Sequence, residues 1–145
     1  VNVAYVAGLV DGEGCIGFTK SRSNLIPRVM ITNTNKDLMD LLKENFGGHI
    51  LSVKKVNDTW KRAYHWCICN KKAIDFLEKI EKHLILKINQ ALCLYAYECI
   101  RPGKGKSWTQ EAIEARDLLK SQVHWLNKKG VHSDQEPIQE VINSM

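Results

Sequence analysis

The stretch AYVAGLVDGEGCIGF (Ala4 to Phe18) limits the possible folds more than any other part of the chain, because it begins as a helix and ends as something that cannot be one. Val3 to Val10 is short, apolar and helix-like, whereas Cys15 to Thr19 alternates as a strand does. Ala4, Gly8 and Gly12 are spaced four apart, so they stack on one helix face. A stripe without side chains admits a second backbone at close range. Glycine inside a helix costs up to about 1 kcal/mol relative to alanine, so a packing gain should offset it. That gain could come from a second helix or from a strand lying over Gly8. Asp11 and Glu13 follow where the helix ends, and a carboxylate there opposes the macrodipole at a cost of about 0.3–1 kcal/mol each. A divalent cation would reverse the sign, since hard metals prefer oxygen ligands. Two solvated turn carboxylates are the competing reading.

The remaining chain repeats one order. Ile26 to Asn33 alternates as a strand, with Lys20 to Asn24 a polar turn before it. Thr34 and Asp37 form a capping-box pattern opening a helix with Leu38, Leu41, Leu42 and Phe46, which Gly47-Gly48 ends. Then come a strand over His49 to Val56, a turn at Asn57-Asp58, and a long strand over Thr59 to Cys69. Asn70 caps the next helix, through Ala73, Ile74, Leu77 and Ile80. Strand, strand, helix thus occurs twice after the opening helix, which predicts an α+β fold with one four-stranded sheet and helices on one face. A helix carrying Ile88, Leu92, Tyr95 and Cys99 on one side stops at Pro102-Gly103. Ser107 and Gln110 open a last amphipathic helix ending near Gly130, and a weak helical stretch follows Pro137. One domain is expected over residues 1–145, with a core to about 101 and a helical extension over about 107–145.

A formal charge of +5 favours a polyanionic partner, most often nucleic acid. No apolar run approaches the roughly 18 residues of a membrane span. Five cysteines without CxxC spacing argue against a disulfide framework and for a reducing compartment. Their spacing does not match zinc-ligand pairs, so they are read as small apolar residues.

VAGLVDGEG (Val6 to Gly14) resembles the LAGLIDADG motif of homing endonucleases, with identity at Ala7, Gly8, Leu9, Asp11 and Gly14. The element order to about Arg101 is similar to that family's αββαββα core. The resemblance implies a four-stranded antiparallel DNA-binding saddle with C-terminal helices. It makes Glu13 the metal-binding carboxylate of the active site, with the carbonyl of Gly12 a further ligand. Most members carry Asp at the position of Glu13. Asp11 would support the packed motif helices. Lys87, beginning a helix in LKINQA, matches a basic active-site residue, and Asn33 a polar residue that organises water near the cut phosphate. Read without the family, Lys87 is a solvated helix-start lysine and Asn33 a turn or cap residue.

One motif in 145 residues implies half an enzyme. Two copies would meet in a homodimer along Ala4, Gly8, Asp11 and Gly12, each giving a Glu13 to one strand. The implied activity is site-specific, Mg²⁺-dependent double-strand DNA cleavage across the minor groove of a long, near-palindromic target, leaving 3′ overhangs; Mn²⁺ or Ca²⁺ can occupy such sites. On the expected strands, Arg28, Met30 and Thr32, Ser52 and Lys54, and Arg62, Tyr64 and Trp66 would face DNA, while Ala63, His65, Cys67 and Cys69 pack against helices. Thr19, Ser21 and Ser23 extend the major-groove surface. Lys20, Arg22, Lys104 and Lys106 meet phosphates. A one-residue slip would flip a whole strand's set. The alternatives are an RNA-binding intron maturase and a non-catalytic DNA-binding protein of the same fold. Members are typically encoded in introns of organelle or microbial genomes, which suggests a mitochondrion or chloroplast.

Overall fold

A computed structural model describes residues 1–22, 24–54 and 57–128; Ser23, Val56 and the stretch after Pro137 lie outside the described residues. The elements are α1 (Val3–Glu13), β1 (Gly14–Ser21), β2 (Asn24–Asn33), α2 (Lys36–Phe46), β3 (His49–Ser52), β4 (Tyr64–Cys69), α3 (Asn70–Ile80), a 3-10 turn (Glu81–His83), α4 (Ile88–Ile100) and α5 (Gln110–Leu126). The expected αββαββα order is therefore present, followed by α5. The sheet runs β1-β2-β4-β3 with every neighbouring pair antiparallel.

The sequence explains each boundary. Asn2 caps α1 by accepting from the N–H groups of Ala4 and Tyr5, and Val6, Ala7 and Val10 turn inward. Asn35, not Thr34, caps α2, its side chain accepting from Leu38 N. Thr109, not Ser107, caps α5 through Ala112 N. Asn70 does not cap α3; it is the first helical residue, with a φ of 59°. β4 begins at Tyr64 rather than Thr59, and β3 ends at Ser52, so the second hairpin has a long connection instead of a two-residue turn.

Alternation along β2 decides the layers. Leu25, Val29 and Ile31 are buried against helices, and in register Val29 faces Ile68 and Ile31 faces Trp66. Trp66 is fully buried, donates from Nε1 to the Gly47 carbonyl at 2.8 Å, and meets Phe76 edge to face. That contact requires backbone close by. Gly48 has a φ of +82°, and a Cβ there would run into the Cys67 carbonyl. On the other flank, α5 packs on α4 and borders the outer edge of β1. There Asn127 donates to the Ile16 carbonyl at 3.1 Å and accepts from buried Gln90 at 3.3 Å. An edge-strand carbonyl is thereby satisfied.

Candidate active site and nucleic-acid interface

The end of α1 resolves the electrostatic conflict posed by its two carboxylates, and it treats them differently. Asp11 accepts three backbone N–H bonds, from Ile85 at 2.8 Å, Leu86 at 3.2 Å and Lys87 at 3.0 Å. Both of its oxygens are committed inside the chain, which ties the start of α4 to the motif helix. The Lys87 ammonium then closes the end of α1, donating to the carbonyls of Val10 at 3.1 Å, Asp11 at 2.9 Å and Gly14 at 2.7 Å. A cation at the negative helix end with three donors on three acceptors is favourable on both counts. Lys87 therefore stands beside the motif, as expected, but all three of its protons are used on backbone carbonyls.

Glu13 is exposed, and among the described residues its one hydrogen bond is from the Asn33 amide to Oε2, at 2.8 Å. Asn33 is itself oriented, its side-chain oxygen accepting from Asn35 N at 2.8 Å. The structure thus brings Glu13 and Asn33 together at the junction of α1, β1 and β2. Gly12 is exposed too, and its carbonyl is not among those that Lys87 occupies. Among the described residues, no group of three or more His, Cys, Asp or Glu side chains could hold a metal ion. At this corner, among the described residues, Glu13 is the exposed carboxylate of the motif, and Gly12 precedes it in the chain. Ala4, Gly8 and Gly12 all lie on the exposed side of α1, and a Cβ at Gly8 or Gly12 would meet nothing within 4 Å. Tyr5, at 57% exposure, borders that bare stripe.

The sheet face turned away from the helices carries Thr19 and Ser21 on β1 and Arg28, Met30 and Thr32 on β2, as their alternation predicts. The expectation for β4 is corrected. Since Ile31 pairs with Trp66 and Asn33 with Tyr64, Trp66 and Tyr64 belong to the helix-facing phase, and His65, Cys67 and Cys69 take the open face. Ser52 pairs with Tyr64 and follows the same phase, so on β3 the open-face residues are His49 and Leu51. Arg62 precedes β4, is exposed, and donates to Ser52 Oγ at 2.7 Å. Lys54, also exposed, lies beyond β3. Lys20 is exposed at the end of β1, and Arg22 occupies the turn with a φ of 56°.

The residues missed on the open face form direct cross-strand rows. Thr32 pairs with His65, and Thr32 Oγ1 lies 2.6 Å from His65 Nδ1. Met30 pairs with Cys67, and Arg28 with Cys69. Burial pushes both thiols up, only partly offset by Arg28; Cys67 is itself buried in this row and Cys69 half-buried. The one available signal was Trp66: a large indole needs both burial and an acceptor.

Comparison with known proteins settles the family. The model of the LAGLIDADG endonuclease family matches residues 6–97, which includes the motif helix, the whole sheet and most of α4. The chain belongs to the LAGLIDADG endonuclease family. Its members cut DNA at specific sites, and this LAGLIDADG protein is an endonuclease by that membership. Among solved structures, it is similar to the homing endonuclease I-CvuI in complex with its target in the presence of calcium, at 19% identity and a TM-score of 0.69 over 97% of this chain and 90% of that one. It is also similar to the archaeal intron-encoded homing endonuclease I-Vdi141I complexed with DNA, at 20% identity and a TM-score of 0.70, covering 97% and 92%. A mutant of I-SmaMI matches at 21% identity and a TM-score of 0.65, covering 99% of this chain but 49% of that one. No curated protein sequence matches.

Proposed function

We propose that this LAGLIDADG endonuclease acts as a homodimer, using a divalent cation, with Mg²⁺ the natural choice, to cut both strands of a long, near-palindromic duplex across its minor groove and leave 3′ overhangs. The carrying observation is the asymmetric treatment of the motif carboxylates: Asp11 is spent on three N–H groups, while exposed Glu13 is held, among the described residues, by Asn33 alone. The donor set of Glu13 and the Gly12 carbonyl suits a hard cation that keeps several waters. When bound, such an ion supplies charge stabilisation for the phosphate and a more acidic water. Glu13 would hold it, at the end of a helix anchored by Lys87 and Asp11. The Asn33 amide fixes the carboxylate's orientation, and its proposed role is to order water beside the cut phosphate.

Dimerisation is supported by the exposed Ala4, Gly8, Gly12 stripe, which would let two α1 helices touch. It is supported also by the chain's matching 49% of I-SmaMI, as one half of a two-part enzyme would. The net charge of +5 and the basic turn around Arg22 favour the DNA backbone. Incubating the protein with a randomised duplex library and Mg²⁺, with RNA as a control, tests the reading. Scission of a selected palindromic class supports it; binding without scission by an intact dimer rejects it.

A further inference from the structure

We infer that His65, aligned by Thr32, is a specificity-determining residue that reads one base pair of each half-site next to the cut, through a single outward N–H donor. The inference rests on the endonuclease reading above. Thr32 and His65 are direct cross-strand partners on the open face, both half-buried, with 2.6 Å between Oγ1 and Nδ1. The hydroxyl has no other partner among the described residues. With the hydroxyl donating to Nδ1, the ring N–H lies on Nε2. In that arrangement the far nitrogen is the donor.

That choice has a consequence for recognition. In the major groove a lone donor finds acceptors on guanine, at N7 and O6, and none on cytosine. Leu51, the cross-strand neighbour of His65 on its other side, is 52% exposed and offers the ring no competing polar group. The position of the pair follows from the chain: Thr32 adjoins Asn33, whose amide holds Glu13. One strand residue rises about 3.3 Å, close to one base-pair step, so the row lies immediately beside the reacting end of the site.

The test is a panel of duplexes carrying every single base-pair change in a selected target, assayed for binding and cleavage. The parent protein should prefer guanine over cytosine at one pair per half-site beside the cut, by about tenfold, the scale of one lost base contact. His65→Ala should flatten that preference and leave other positions unchanged. Thr32→Val should do the same although the ring is still present, and Thr32→Ser should restore it. An unchanged profile in His65→Ala, a uniform loss at every position, or a preference for cytosine would each overturn the assignment. A parent that binds no duplex with sequence preference would overturn both it and the proposed function.

Discussion

Replacing Lys87 with Met keeps the aliphatic stem and removes only the ammonium that closes α1. Three donors are lost, to carbonyls at 2.7, 2.9 and 3.1 Å. A hydrogen bond from a charged group contributes about 1.5–3 kcal/mol. The three are not additive, because water reaches part of this half-buried corner and replaces some of them. A cation at a helix C-terminus adds about 0.3–1 kcal/mol. The net expectation is a loss of about 2–3 kcal/mol, at the upper end for a single substitution. For a chain of 145 residues this lowers Tm by about 6–12 °C. The assay is thermal unfolding followed by circular dichroism, without DNA or divalent cation. Protein concentration is held fixed, since the Tm of any self-associating chain depends on it. A change below about 0.5 kcal/mol, the usual result for a solvated surface lysine, would refute the clamp.

Glu13→Gln should lower cleavage by about 10²–10³-fold, as loss of a charge-stabilising group does, while gel-shift affinity stays near the parent value. Gly8→Leu should leave the protomer folded, because nothing lies within 4 Å of the added Cβ, yet sedimentation should show monomers. Gly48→Ala should destabilise by about 1–3 kcal/mol in chemical denaturation, combining the left-handed backbone at φ +82° with the approach of the Cys67 carbonyl.

The motif helix, the two ββα units and the open-face set on β2 were legible because each depends on local periodicity or on one short match. Leu25, Val29 and Ile31 alternate without ambiguity, so β2 could be phased from its own residues. β4 could not. Tyr64-His65-Trp66-Cys67 offers plausible residues to either face, and its phase is set by pairing with Ile31 and by the Gly47 carbonyl waiting for the Trp66 indole. Asn35 displaced Thr34 as the α2 cap because the two are adjacent and equally suited; only the backbone entry angle separates them. Residues 53–56 and 59–63, on either side of the expected Asn57-Asp58 turn, read as strand because their sequence pattern runs on from the strands that end at Ser52 and begin at Tyr64. The Lys87 clamp was beyond reach, since its partners lie more than 70 positions away. The sequence named the residue, and tertiary geometry supplied what it touches.

Whether each protomer delivers one Glu13 to one strand is tested most directly by fusing two copies of the chain in tandem and changing Glu13→Gln in one of them. On a selected duplex with Mg²⁺, the fused dimer should nick a single strand, always the one facing the unchanged copy. Cleavage of both strands, or of neither, would contradict the assignment of one carboxylate to one strand.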